Sequence, residues 1–425
     1  MDAGRAGGAG EVMEATPGLR RDPAPDLDAV GEDAALVARI HAGIAASGPI
    51  PFARFMDLAL YDPEGGYYRG DAARPGRDGD FLTAPEAHPI FGAALARGVD
   101  EVWQRLGRPD PFVLREYGAG TGALAAAILD GLETAGSDLA RILRYQPVEV
   151  EPRRIDAIVA RFEEAGRAGV LVDPLERDRI GSESIEGVVL GNEVLDALPV
   201  HRVVVRDGLL REVLVGSRKG AFVDVESEPS TPGIAARFSA PGMTLAGGVT
   251  LAEGQRAEVC LALDPWMVEV AVGLRRGALL LIDYGYPATE LYDPIRRRDG
   301  TLRAYLRHRV HDDPYIHVGR QDLTAHVDVT AVERAAAGAG LTHLGTTTQA
   351  EFLVGLGIGD LLQGIQADPA TTLEGYLTVR SALMRMLDPG AMGRFRVMGF
   401  GRDWPDGPDG AGGPPLAGFG YRLRR

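Results

Sequence analysis

Seven residues, Glu116-Tyr117-Gly118-Ala119-Gly120-Thr121-Gly122, constrain this chain more than any other stretch. They follow an apolar run, Phe112 to Tyr117, and precede an Ala-rich segment, Ala123 to Glu133, so they read as a turn from a buried strand into a helix. Glycines at alternate positions let the backbone turn sharply and let a ligand approach the main chain, with a helix N-terminus behind it. The sequence downstream continues the pattern of strands alternating with helices that marks a parallel α/β sheet. Tyr145 to Val150 reads as a second strand and Arg153 to Ala165 as its helix; Gly169 to Val172 and Gly187 to Leu190 read as the third and fourth strands. Ala278 to Ile282 is a continuous apolar run suited to burial on both faces, and Arg394 to Phe400 suits a last strand.

The pattern divides the chain into a disordered tail at 1–33, a helical region at 34–110 and an α/β domain at 111–425, with insertions at about 200–255 and 286–328. Helices are expected at Ala34 to Ala46, Phe52 to Leu60, Ile90 to Leu106 and Thr330 to Ala339. In the first insertion Asp207-Gly208 sits between Val203-Val-Val205 and Val213-Leu-Val215, a hairpin signal that predicts an antiparallel β element. Ala257 to Leu274 reads as a helix returning to the sheet. Lys plus Arg number 45 against 60 Asp plus Glu, a formal charge of −15, which argues against a protein that wraps nucleic acid through many phosphate contacts. No run approaches the roughly 18 apolar residues of a membrane span, and the acidic first 30 residues suit neither a transit peptide nor a secretory signal, so a cytoplasmic protein is expected. Cys260, the only cysteine, lies in an apolar run and reads as a small core residue; no metal site is expected.

Two cofactors fit the glycine loop by itself. With Ala123 it meets the dinucleotide spacing G-x-G-x-x-G/A, which implies NAD or FAD. It equally meets the E-x-G-x-G-x-G spacing of class I methyltransferases, which implies S-adenosyl-L-methionine. Glu116 separates them: a carboxylate there repels a pyrophosphate but receives a cationic amino group. So does the helical region ahead of the first strand. Gly118, Gly120 and Gly122 are therefore candidate cofactor residues, as is Glu149 at the end of the second strand, with Glu151 the alternative, for the ribose hydroxyls. Asp173 is placed either beside the adenine or in a surface turn before Pro174. At the fourth strand Gly191-Asn192-Glu193-Val194-Leu195-Asp196-Ala197-Leu198-Pro199 offers carboxylates where open α/β sheets bind ligands, in place of the Asn-Pro-Pro-Tyr of several nitrogen-methylating enzymes. Asp283 ends the fifth strand on the same edge.

Several long segments, in order, together resemble the MidA-like family of S-adenosyl-L-methionine-dependent methyltransferases, whose relatives include a mitochondrial protein arginine methyltransferase of respiratory complex I assembly. They are Gly48-Pro-Ile-Pro-Phe52, Tyr61-Asp-Pro-Glu-Gly-Gly-Tyr-Tyr68, Asp80-Phe-Leu-Thr-Ala-Pro-Glu86, the glycine loop, Gly191 to Pro199, Ile282-Asp-Tyr-Gly285, Gly300-Thr-Leu-Arg-Ala-Tyr305 and Asp322-Leu-Thr-Ala-His-Val-Asp328. The resemblance implies a Rossmann-like seven-stranded sheet with a helical N-terminal region that helps form the pocket, and methyl transfer to a protein side chain. It implies S-adenosyl-L-methionine held by Thr83, Glu116, the three loop glycines, Glu149, Asp173 and Asn192. A respiratory NADH dehydrogenase subunit becomes the candidate substrate, and a homodimer a candidate assembly.

Methyl transfer from a sulfonium is a one-step displacement that needs orientation and exclusion of water. A guanidinium nucleophile is charged at neutral pH, and carboxylates can hold its fork. Glu193, Asp196 and Asp283 are therefore the expected grip on a substrate arginine; Asp196 reads equally as a helix cap, and Asp283 as the end of its strand. His326 reads as a packing or substrate-positioning residue. The Arg-rich run from Arg296 to Arg309 reads as a solvated face, or as a docking surface for an acidic partner. Two alternatives stand beside methyl transfer: an NAD- or FAD-dependent oxidoreductase, and a non-catalytic assembly factor that keeps the fold.

Overall fold

The computed structural model describes residues 13–14, 30–70, 83–172, 175–176, 184–239, 244–245, 249–405 and 413–421. The expected tail thus lies mostly outside the described residues. Within them, Met13–Glu14 pairs antiparallel with Arg309–Val310, and the Asp33 side chain accepts the Leu36 amide at 3.0 Å, capping helix α1, Ala34–Ser47.

Helices α2 (Phe52–Tyr61) and α3 (Ile90–Arg105) precede the first long strand, β1, Phe112–Tyr117. The glycine loop then leads into α4, Ala123–Thr134. Next come β2 (Leu143–Glu149), α5 (Pro152–Glu164), β3 (Leu175–Glu176) and β4 (Ile185–Asn192). The expected third strand at Gly169 to Val172 is instead a 3-10 turn at Ala168–Val170 and one bridge from Leu171 to Tyr145. Its apolar content is too short to pair along β2, and pairing resumes only where Leu175 faces Val148.

After β4 the chain leaves the sheet. Strands β5 (His201–Arg206), β6 (Leu209–Arg218) and β7 (Ala221–Ser227) form an antiparallel meander whose first turn is Asp207-Gly208. Asp207 and Gly208 have φ of +52° and +72°, the left-handed geometry of a two-residue hairpin turn. Ala257 to Leu274 is not one helix: Arg256–Val259 is strand β8, paired with His201–Val204, and only Leu263–Val272 is helical (α6). The run Val259 to Leu263 is apolar for either geometry, and the long-range partner in β5 decides it.

Strand β9, Leu274–Asp283, returns to the main sheet. A small antiparallel sheet follows, β10 (Arg303–Leu306), β11 (Arg309–His311) and β12 (Asp322–Thr324), then α7 (Val329–Gly338), β13 (Thr342–Thr348), C-terminal helices including α8 (Leu373–Leu387), and β14 (Arg396–Arg402). The main sheet has seven strands in the order β13-β14-β9-β4-β1-β2-β3, parallel from β9 through β3 and antiparallel at β14 and β13.

One face of this sheet packs under α3, α4 and the C-terminal helices through Phe91, Phe112, Ile128 and Leu353. The other packs under α6 and α7 through Met267, Val270, Leu279 and Val332. Burial on both faces explains why β1, β4 and β9 read as unbroken apolar runs. A third cluster joins α1 and α2 to the inserted sheets through Phe52, Phe55, Val215 and Leu323. The N-terminal helices are thereby fixed over the carboxyl ends of the central strands. No helix among the described residues is long and apolar enough to cross a membrane.

Candidate functional site

The carboxyl ends of β1, β2 and β4 open into one cavity, walled from above by Tyr61 of α2, Tyr68, Thr83 and Glu86, and from the side by Trp266 and Glu269 of α6. Its empty volume, open mouth included, is about 1160 Å³. Pockets for drug-sized ligands span roughly 300–1,000 Å³, so there is room for a nucleoside cofactor and a second group.

Gly118, Gly120 and Gly122 have φ of +63°, +57° and +70°, the left-handed region that strains residues with a Cβ. At Gly122 a Cβ would also stand 3.2 Å from Ile158 and 3.3 Å from Phe162, so the loop cannot shift without moving α5. Glu149 stitches this loop to β2: Oε1 accepts the Gly120 amide at 2.7 Å and Oε2 the Val150 amide at 3.0 Å. Glu149 lines the cavity, whereas Glu151 caps α5, accepting the Arg153 amide at 3.3 Å and guanidinium at 2.8 Å.

Glu116 is buried beneath the loop and accepts the Tyr145 hydroxyl at 2.6 Å. Burial outweighs that bond and pushes its carboxyl up to about 8. No cation stands within 4 Å of it among the described residues. A buried carboxyl of this kind suits a ligand that brings its own positive charge. Thr83 lines the cavity at the start of the short helix Ala84–Ala87, and its side chain makes no capping bond. Asn192 lines it too, donating to Glu193 at 3.1 Å while its own Oδ1 is buried without a partner. Asp173 lies outside the described residues, as do Asp80 to Leu82.

Glu193 is the acid that faces the cavity beyond the loop. Its φ of +53° is a left-handed conformation rare for a residue with a side chain, held by its amide donating to Ile282 O at 2.8 Å. Burial, with Asp196 and Asp322 nearby, raises its carboxyl to about 8. Asp196 lies behind it and not on the cavity wall. Burial raises Asp196 to about 6; the Tyr284 hydroxyl donates to it, and its Oδ1 is buried without a partner.

Asp283 does something else. It is 1% exposed, and its Oδ2 accepts the amides of Val194, Leu195 and Asp196 at 3.1, 2.8 and 3.4 Å, while Oδ1 accepts the Tyr284 amide at 2.9 Å. Asp283, expected to grip substrate, is off the cavity wall, and its bonds make it a clasp on the loop carrying Glu193 and Asp196. Burial raises its carboxyl well above the ordinary range.

Sequence reasoning gave no role to Asp322, Trp266 or Glu269. Asp322 accepts the Tyr68 hydroxyl at 2.9 Å, and Tyr68 stacks on Tyr61 with centroids 5.5 Å apart. Tyr61 in turn donates to Ala197 O at 2.9 Å, so these tyrosines lock the N-terminal region onto the acidic loop. The Tyr-Tyr and Asp-Leu-Thr-Ala-His motifs were visible, but nothing local links positions 254 apart. Cys260 is half-buried against two of the core clusters, and burial pushes its thiol up to about 12.

Residues 94–347 match the profile of a family described as "Putative S-adenosyl-L-methionine-dependent methyltransferase". This chain belongs to the MidA-like family of S-adenosyl-L-methionine-dependent methyltransferases. Similar members include the Drosophila melanogaster protein arginine methyltransferase NDUFAF7 homolog, mitochondrial, 29% identical over 89% of this chain and 87% of that one. The human protein arginine methyltransferase NDUFAF7, mitochondrial, is 30% identical over 74% of this chain and 71% of its own length. The crystal structure of a Burkholderia thailandensis superfamily member bound to S-adenosyl-homocysteine is 36% identical, with a TM-score of 0.79 over 93% of this chain and 97% of that one. Membership makes S-adenosyl-L-methionine the cofactor of this MidA-like enzyme and methyl transfer its reaction. The dinucleotide alternative that the glycine spacing left open is thereby set aside.

Proposed function

We propose that this chain is a class I protein arginine N-methyltransferase, with a respiratory NADH dehydrogenase subunit as its leading candidate substrate. The observation that carries the reading is the acid end of the cavity. There Glu193, backed by Asp196, has no cation within 4 Å among the described residues. Two neighbouring acids, Asp196 buried and Glu193 half-buried, without a countercharge suit a cationic guest, and a guanidinium presents the planar fork that carboxylates bind best. The names of the relatives support the same choice.

Bound S-adenosyl-L-methionine supplies an electrophilic methyl group on a sulfonium. The chain's part is to orient and to exclude water. Glu116 would receive the amino end of the cofactor and Glu149 its ribose hydroxyls, with the glycine loop, Thr83 and Asn192 forming the walls around it. Glu193 holds its proton up to about 8 when no cation is near. A guanidinium alongside it displaces that proton, and the resulting carboxylate grips the fork and takes up the proton that the methylated nitrogen sheds. Asp196 adds negative charge behind Glu193, Asp283 holds both in place, and Tyr61 with Tyr68 closes the wall against water.

The test is Glu193→Gln. Label from methyl-tritiated cofactor entering protein should fall by about two orders of magnitude or more, the scale of a lost general base, while calorimetry finds cofactor affinity within about twofold of wild type. Unchanged transfer by the variant would overturn the assignment of Glu193.

A further inference from the structure

Tyr284 joins the acid end of the cavity to a second group of side chains. Its hydroxyl donates to Asp196, and its ring meets His326 edge-on at 5.3 Å and Phe395 at 5.5 Å. Tyr286 lies 5.6 Å from the same imidazole and carries the Arg297 guanidinium 4.6 Å above its ring. Arg297 Nη1 is also 3.3 Å from His326 Nδ1. Arg303 sits directly across from Thr324 in the β10–β12 pairing, two residues before His326, and Arg394 immediately precedes Phe395. Arg297 thus touches the imidazole directly, and Arg303 and Arg394 are near enough for their charges to act on it. Burial, with the charges of Arg297, Arg394 and Arg303, drives His326 down to about 3, so the ring is neutral at physiological pH.

None of these three arginines has a carboxylate within 4 Å among the described residues. Elsewhere in the inserted sheets arginines are paired: Arg202 with Asp224, Arg206 with Glu226, Arg237 with Asp264. In a chain with 60 acids to 45 bases, a cluster of like charges without a counterion is conspicuous. Arg394 is exposed and Arg297 and Arg303 are half-buried, so a ligand can reach them. Tyr305 links the two regions electrostatically: the charges of Asp196, Asp322 and Glu193 act on it, and so does that of Arg303.

We propose that Arg297, Arg303 and Arg394, with the faces of Tyr284 and Tyr286, are a docking surface for acidic residues that flank the methylated side chain in the substrate protein. The inference rests on the protein-arginine reading above. Arginine and tyrosine at a half-buried patch are what binding hot spots are made of. A substrate of this kind is cationic at its centre and anionic beside it, the complement of carboxylates in the cavity and guanidiniums at its edge. The net charge of −15 repels acidic chains at a distance, so a local patch of positive charge is needed to favour one.

The experiment uses the full chain saturated with S-adenosyl-homocysteine and two fluorescein-labelled peptides with a central arginine, one flanked by glutamates and one by glycines. Anisotropy at 0.15 M salt should show the glutamate peptide binding roughly tenfold more tightly, with the advantage shrinking as salt rises. Arg394→Glu, at an exposed position, should weaken the glutamate peptide by about threefold to tenfold, and Arg303→Glu likewise, within the range of partly exposed ion pairs. S-adenosyl-homocysteine affinity of each variant reports its folding. Equal binding of the two peptides, or a glutamate-peptide curve that neither variant moves, overturns the docking surface. A parallel incubation with S-adenosyl-L-methionine in place of S-adenosyl-homocysteine reads methyl transfer by mass spectrometry: charge-dependent binding with no methylarginine formed there upholds the surface and counts against the arginine reading alone.

Discussion

Glu116→Gln isolates one interaction between the chain and its cofactor. The amide keeps an oxygen to accept the Tyr145 hydroxyl, 2.6 Å away in the wild type, so the fold has little reason to change. With its carboxyl at about 8, Glu116 is roughly one-fifth ionised at pH 7.4 before a cation arrives, and ionising it costs about 1 kcal/mol. A charged hydrogen bond to an ammonium contributes about 1.5–3 kcal/mol. The difference, about 0.5–2 kcal/mol, predicts that the variant binds S-adenosyl-L-methionine roughly twofold to thirtyfold more weakly. The assay is isothermal calorimetry with two ligands, the cofactor itself and 5′-methylthioadenosine, which lacks the amino-acid end. The variant should lose affinity for the first and keep it for the second. Equal losses for both ligands would refute the reasoning, because they would make Glu116 a support of the loop and not the receiver of the amino group.

Asp283→Ala removes the acceptor of four amides, those of Val194, Leu195, Asp196 and Tyr284, and a buried one costs about 1–3 kcal/mol when left unpaired. Unfolding free energy should fall by roughly 3 kcal/mol or more, and by less in Asp283→Asn, which keeps an acceptor; a loss below about 1 kcal/mol in denaturant titration would contradict the clasp. With cofactor saturating, kcat/KM for the protein substrate should rise up to tenfold per pH unit below about 8 and level above it, because Glu193 must be ionised to hold a cation. A flat profile from pH 6 to 9 would rule this out. Glu116 and Glu193 both bind their protons more tightly folded than unfolded. Their contribution to stability is therefore full below the ordinary carboxyl value and lost as pH rises to about 8. The melting temperature of the cofactor-free protein should fall between pH 6 and 8.5, and S-adenosyl-homocysteine should restore it most at the upper end; scanning calorimetry across that range checks both.

Strands buried on both faces were the most legible part of the fold, since β1, β4 and β9 can hardly be anything else when the glycine loop fixes the first. The loop's own chemistry was equally plain, because left-handed φ at Gly118, Gly120 and Gly122 demands glycine. Legibility failed where a long-range partner decides. Arg256–Val259 is a strand only because His201–Val204 lies beside it, and the third strand begins later than its apolar run suggests. The site divides in the same way. Glu116 and Glu149 are fixed by their distance from the loop, but the direction of a side chain at a strand end is not written in its spacing. Of the three acids expected to grip substrate, Asp283 turns toward the amides of Val194 to Asp196 and only Glu193 lines the cavity. Asp322 was invisible as a site residue because its partner, Tyr68, is brought to it only by the packing of the N-terminal helices on the inserted sheets.

The central claim is that a protein arginine receives the methyl group. Extract from a strain lacking this gene, incubated with the purified enzyme and methyl-tritiated S-adenosyl-L-methionine, should yield a labelled protein band. Fragmentation mass spectrometry of that band should place the methyl on a guanidino nitrogen. Label on a lysine, a glutamine or a small molecule, with arginine unmodified, would contradict the account.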